Sequence, residues 1–252
     1  MRFLLVLLAF AAGCVHPQRS TSLSPVQDVS DIPAPPDLVR LAFKSAIIPP
    51  RARGDQPWDE DGSPPDTFVR VYRNDELIYE SEPAMNSLQP QFRDAMSENV
   101  ILPSNAELRI ELWDSEEMRL PQPIGTWRGR GLPPTALPGA DARITMEGTA
   151  ELTFRVEPPE AFRGTGITNY ELRREELYVD QVIRFSPAGR AGLDHGDRII
   201  AIDGQPIGDL GEDPAASALS MASSRQTTMT VIHSDGRRED VRLDNGYVWH
   251  SR

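Results

Sequence analysis

Cysteine is nearly absent from this chain: 252 residues carry one, Cys14. An internal disulfide is therefore excluded, and so is a zinc site built from a cysteine cluster. An excess of positive charge is also lacking. Lys and Arg number 26 against 38 Asp and Glu, a formal net charge of −12. Nucleic acid is excluded as an expected partner, because phosphate binding needs a basic surface. Attachment to anionic lipid by charge alone is disfavoured for the same reason. The apolar run Phe3 to Ala12 is about ten residues, half of the roughly twenty that cross a bilayer. Histidine is scarce, with His16, His195, His233 and His250 scattered along the chain. His233, Ser234 and Asp235 are consecutive, so their side chains point apart and cannot relay a proton. No Gly-x-Ser-x-Gly elbow, His-Glu-x-x-His helix or phosphate-binding Walker loop occurs. A non-catalytic protein is expected.

What is present suits β-rich domains joined by loops: 39% hydrophobic residues with 23 prolines and 18 glycines. The length allows one large or two small domains. Met1-Arg2 followed by the short apolar run fits a secretory leader. The run ends Ala11-Ala12-Gly13-Cys14, which resembles the lipobox of bacterial lipoproteins. That resemblance implies a signal peptide over residues 1–13 and diacylation of Cys14, giving a membrane anchor stronger than one acyl chain provides. Val15 stands where an aspartate marks inner-membrane retention in many such proteins, which favours the outer membrane. Residues 14–36 follow as lipidated cysteine and tether. The stretch is rich in Ser, Pro, Gln and Asp, and is expected to be disordered.

From Asp37 the pattern changes to strands. Val39 to Ile47 alternates, Thr67 to Tyr72 and Leu77 to Tyr79 flank an Asn74-Asp75 turn, and Asn99 to Leu102 and Ala106 to Trp113 follow. Ile124 to Arg128 and a long run from Arg143 to Val156 complete seven or eight strands, as an antiparallel β-sandwich requires. The order of PPDTFVRVYR, SLQPQF, ELRIELWDSEE and PIGTW resembles a C2 domain over residues 37–157. Calcium-binding members hold the ion with loop carboxylates, since calcium takes six to eight oxygens. The resemblance makes Asp66, Asp114 and Glu116 calcium candidates, together with one of Asp59, Glu60 and Asp61, of which Asp59 beside Trp58 is favoured. Glu116 and Gln122 stand where the family usually has aspartate, so calcium is an open possibility among cofactors and no other is expected.

Residues 158–163, with Pro158 and Pro159, form a stiff linker. Within the last part, SPAGRAGLDHGDRIIAIDGQPI (Ser186 to Ile207) reads as turn, one short helical turn ended by Gly192, a second turn at Gly196-Asp197, a strand, and a tight Asp203-Gly204 turn. The string resembles the central signature of PDZ domains from bacterial envelope proteins. The resemblance implies a partly open β-barrel with short helices over residues 164–252. It also implies a carboxylate-binding loop at Gly164, Thr165, Gly166 and Ile167, and a strand Thr168 to Leu172 whose edge receives a peptide. Thr168, Tyr170 and Leu172 belong to that strand. Asp213-Pro214 is expected to cap a helix running from Ala215 to Ala222. Ala218 and Leu219 on it become groove-lining or core residues. A glutamate at Gly166 is expected to block the groove without unfolding it.

The fold class expected is mainly β, a C2-like sandwich followed by a PDZ-type domain. The function expected is a non-catalytic, membrane-anchored adaptor in the bacterial envelope that binds peptide or protein segments by strand addition. A regulatory subunit of an envelope protease or secretion complex, and a calcium-responsive membrane-docking protein, are the alternatives. No sequence feature speaks to oligomeric state.

Overall fold

The computed structural model describes residues 18–27, 33–93, 95–116 and 119–251. Residues 1–13, expected as a leader, Cys14, and residues 15–17 of the expected tether lie outside the described residues. Two short strands come first, β1 (Gln18–Arg19) and β2 (Ser24–Val26). Eight follow as β3 (Leu38–Ile47), β4 (Thr67–Arg73), β5 (Glu76–Glu80), β6 (Val100–Ile101), β7 (Glu107–Asp114), β8 (Gln122–Arg130), β9 (Asp141–Thr145) and β10 (Glu151–Glu157). Next are β11 (Ala161–Arg163), β12 (Ile167–Arg173), β13 (Glu176–Val182), α1 (Pro187–Arg190), β14 (Arg198–Ile202) and β15 (Gln205–Pro206). The described chain closes with α2 (Ile207–Leu210), α3 (Glu212–Met221), β16 (Thr228–Ile232) and β17 (Arg238–Arg242). Two compact units result among the described residues, 25–162 with 249–251, and 18–24 with 163–248.

The first unit is a sandwich of two four-stranded antiparallel sheets, ordered β6-β3-β10-β9 and β5-β4-β7-β8. Alternation puts Leu152, Phe154 and Val156 of β10 inside, against Leu41 and Phe43 of β3 and Ile110 and Leu112 of β7. Phe43 stacks on Tyr79 at 5.3 Å between ring centres. Asn74 and Asp75, both at positive φ, make the tight turn between β4 and β5. The run from Arg143 to Val156, expected as one long strand, is two. Gly148 and Thr149 turn the chain back, closed by the Met146 N–H donating to Ala150 O at 2.8 Å.

The second unit is one curved antiparallel sheet, β1-β12-β13-β14-β16-β17, with β15 on β14. Ile167, Tyr170, Leu177, Val179, Ile199 and Leu219 fill its core. Ser186 caps α1, its Oγ accepting from the Gly189 N–H at 3.1 Å. His233 does not face a serine hydroxyl. Its Nδ1 lies 3.0 Å from Asp197 Oδ2, and the buried Asp197 carboxylate also accepts from the Asp194 and Ser234 N–H groups.

Three expectations change here. Part of the stretch expected as free tether, residues 18–19 and 24–26, is strand: β1 pairs with β12 and β2 with β11. The linker correspondingly ends in strand β11. Strand pairing satisfies backbone groups, which every non-proline residue carries, so a polar composition does not prevent it. Asp213 is not the N-cap of α3. Gly211, at φ 77°, turns the chain into the helix, and Glu212 and Asp213 occupy its first turn. Carboxylates are favoured there by the helix dipole.

Candidate functional site

The loop Gly164 to Ile167 leads into β12 and is held from behind by the turn before α1 and by α1 itself. The Ala188 N–H donates to Thr165 O at 2.9 Å, and the Ile183 N–H to Gly166 O at 2.8 Å. Gly166 has φ 83°, and a Cβ there would sit 2.1 Å from Ser186 Cβ. Any side chain at Gly166 thus displaces the buried cap of α1, so a glutamate there disrupts the loop rather than merely blocking a groove.

The outer edge of β12 is filled. Gln18 lies opposite Glu171 and Arg19 opposite Tyr170, antiparallel, and the Thr21 N–H donates to Ile167 O at 3.2 Å. Thr21 is buried, and its Oγ1 lies 2.6 Å from Ile167 O and 3.0 Å from Thr165 Oγ1. Thr21 has one hydroxyl hydrogen. If it goes to the nearer Ile167 O, Thr165 donates to Thr21 while accepting from its own loop's Ile167 N–H at 3.3 Å. Both hydroxyls are then satisfied, which accounts for threonine where the related pattern has an apolar residue. Arg19 reaches across to α3, pairing with Glu212 and lying 3.5 Å from Asp213. The chain then continues over the loop, with Ser22 O and Leu23 packed against Gly164.

Of the expected groove residues, Gly164, Thr165, Ile167 and Tyr170 meet this segment. The Ile167, Tyr170 and Leu219 side chains belong to the buried core. Burial pushes the Tyr170 phenol up, with Arg19 opposing and Glu212 reinforcing that shift. Thr168 turns its hydroxyl to Gln181, and Leu172 and Ala218 lie partly buried against the core. Arg19, Thr21, Glu212 and Ser186 escaped the sequence reading as site residues. Alternate burial along residues 19–23 is the signal of a strand, but two of its three inward positions, Arg19 and Thr21, carry polar side chains.

At the sandwich's loop end, Asp59, Asp114 and Glu116 each bring a carboxylate oxygen within 4.8 Å of the others. Asp114 ends β7, opposite Gln122 of β8 and Thr67 of β4. Asp59 accepts from Ser63 Oγ at 2.8 Å, and Glu116 from Gln122 Nε2 at 2.7 Å. Gln122, where aspartate was looked for, therefore orients one member of the cluster. Asp66 stands outside the trio: its Oδ1 accepts from the Asn86 N–H at 2.7 Å, and its own N–H donates to Asp114 Oδ1 at 2.9 Å. The other oxygen of Asp114, Oδ2, is buried with no hydrogen-bond partner among the described residues. Burial pushes this carboxyl up to about 6, against the Asp66 N–H and with the neighbouring charges of Asp59, Glu116 and Asp66 adding to it.

Comparison with known proteins agrees with this architecture. Residues 49–130 match the C2 domain family, and residues 178–232 match the PDZ domain family. The chain carries a C2 domain followed by a PDZ domain, in a mainly β, antiparallel fold. A solved C2 domain is 15% identical, with 47% of this chain and 96% of that one covered and a TM-score of 0.36. The first C2 domain of a plant extended synaptotagmin is also 15% identical, covering 50% and 98%, with a TM-score of 0.38. Among curated proteins, carboxyl-terminal-processing peptidase 3 of Arabidopsis thaliana chloroplasts is 28% identical over 102 residues. That stretch is 38% of this chain and 20% of the peptidase, so the chain spans a fifth of that relative.

The raised Asp114 carboxyl has a direct consequence for stability. The folded chain holds this proton more tightly than the unfolded chain between pH of about 4 and about 6, so stability falls as pH rises through that window. Asp114→Asn keeps an acceptor for the Asp66 N–H and adds a donor toward the cluster. In chelator at pH 7.5 it is expected to stabilise the sandwich by about 1 kcal/mol and at pH 4 to change little. A lower melting temperature than the native chain at pH 7.5 contradicts the assignment.

Proposed function

We propose that this protein is a non-catalytic adaptor, anchored in the bacterial envelope through lipidated Cys14, whose PDZ domain captures extended peptide or protein segments along β12. The observation that carries this reading is the pairing of β1 with β12: the edge accepts an antiparallel strand, with side chains seated on both sides of it. Backbone pairing supplies the affinity in this mode and alternate side chains the selectivity. The likeness to a peptidase over 102 residues supports placing such capture within a proteolytic or secretion assembly.

The test is site-specific photo-crosslinking in envelope extract, with the crosslinker at Thr168 on β12 or at exposed Arg238 on the opposite edge strand. It is run on the native chain and on Arg19→Ala/Thr21→Ala, which loosens the seated segment. Adducts at Thr168 several-fold above those at Arg238 are expected. No adduct from either chain, or equal yields at the two edges, overturns strand capture.

A second reading, calcium-responsive docking by the C2 domain, is favoured by Asp114, whose buried Oδ2 has no hydrogen-bond partner among the described residues and which lies in a cluster with two further carboxylates. Three carboxylates with hard oxygen donors suit calcium. Asp59, Asp114 and Glu116 are the residues to hold it, and the ion would supply the positive charge the cluster lacks. Raising calcium to the millimolar range is expected to increase the melting temperature by several degrees, an effect abolished in Asp114→Asn. An unchanged melting temperature in the native chain removes this reading.

A further inference from the structure

We infer that residues 18–23 are a resident ligand of the PDZ groove and display what it selects: an internal, through-running segment with a basic residue two positions before a threonine or serine. This rests on the strand capture proposed above and names its partner class.

Three observations carry it. First, the seated hydroxyl is read from two sides. Thr21 Oγ1 is within hydrogen-bond distance of both Ile167 O and Thr165 Oγ1, in a site where Thr21 and Thr165 are both buried. A valine fills the same volume but leaves the buried Thr165 hydroxyl hydrogen without its acceptor and Ile167 O with the backbone N–H alone, and the loss of a partner is what makes such sites discriminate. Serine carries the same hydroxyl.

Second, the residue two positions earlier is read by charge. Arg19 faces Glu212 and Asp213 in the first turn of α3. Ser20 and Ser22, at the alternate positions, are exposed, so they are free to vary. The pattern is one of side chains entering the groove at every second residue.

Third, the segment does not end at the loop. It passes Gly164 with Ser22 O and Leu23 against it, and resumes as β2. The Ile167 N–H, which a terminal carboxylate would recruit, is directed to Thr165 Oγ1 instead. The groove is thus furnished for a chain that continues. Being part of the same molecule, the resident segment competes with any outside one at an effective concentration on the order of millimolar, so partners of matching chemistry must displace it.

The test uses the full chain and a fluorescent, C-terminally amidated peptide copying residues 18–27, followed by anisotropy. Arg19→Glu/Thr21→Val is expected to bind the peptide at least about tenfold more tightly than the native chain, because its own segment no longer competes. Peptides carrying valine for the threonine, or glutamate for the arginine, are expected to bind that variant at least about tenfold more weakly. A peptide that stops at the threonine with a free carboxylate is expected to bind no more tightly than the through-running one. Equal binding of the substituted peptides, or tighter binding of the free carboxylate, overturns the inference while leaving strand capture standing. No binding of any peptide to either folded chain removes strand capture itself. If the double variant fails to melt cooperatively, Thr21→Val alone carries the comparison.

Discussion

A sheet edge leaves a row of backbone donors and acceptors facing outward, and an edge so placed will pair with whatever extended chain is at hand. β12 is such an edge, lying between a glycine-containing loop and α3. Here the chain at hand is the protein's own. The hydrogen bond from the Thr21 N–H to Ile167 O, and the hydroxyl contacts beside it, seat residues 18–21 on that edge. The state of the groove, the selectivity it displays and the status of the stretch before the sandwich all depend on this pairing.

The pairing is possible because the loop beneath it is rigid. The Thr165 and Gly166 carbonyls accept from the N–H groups of Ala188 and Ile183, and only glycine fits at 166 because Ser186 fills the space a side chain would need. The motif from Ser186 onward therefore does more than complete a fold. It sets the loop that receives the ligand strand, so a scaffold element and a binding element share atoms. The C2 domain carries its own unfinished business in Asp114. A buried carboxylate oxygen without a donor among the described residues, beside two further carboxylates, is costly to keep ionised. Such an arrangement persists where a cation relieves it or where the proton stays on.

Much of the architecture was legible. Alternation through Leu108, Ile110 and Leu112 gave β7, and positive-φ turns at Asn74-Asp75 and Asp203-Gly204 lie where turn chemistry places them. Asp59, Asp114 and Glu116, three of the four carboxylates that the C2 resemblance singled out, come within 4.8 Å of one another. What was not legible depends on backbone pairing or on close approach. Gln18–Arg19 and Ser24–Val26 have no apolar stripe, and hydrogen bonding by the main chain leaves no mark in composition. Gly166 reads as a carboxylate-loop glycine where a glutamate would only block the groove until Ser186 is seen against it. Asp213 reads as a cap until Gly211 is seen to turn the chain two residues earlier. Asp66 matched a motif position yet serves a neighbouring turn, since motif matching fixes a place along the chain but not the direction of a carboxylate.

The most direct measurement is amide hydrogen exchange at Thr21 in the full chain, followed by NMR. If residues 18–21 are paired to β12, the Thr21 amide exchanges on the order of a hundredfold or more slowly than in an unstructured peptide, reflecting the free energy needed to open the strand. Exchange at the unstructured rate, with the Tyr170 region otherwise folded, would contradict a groove filled by its own chain.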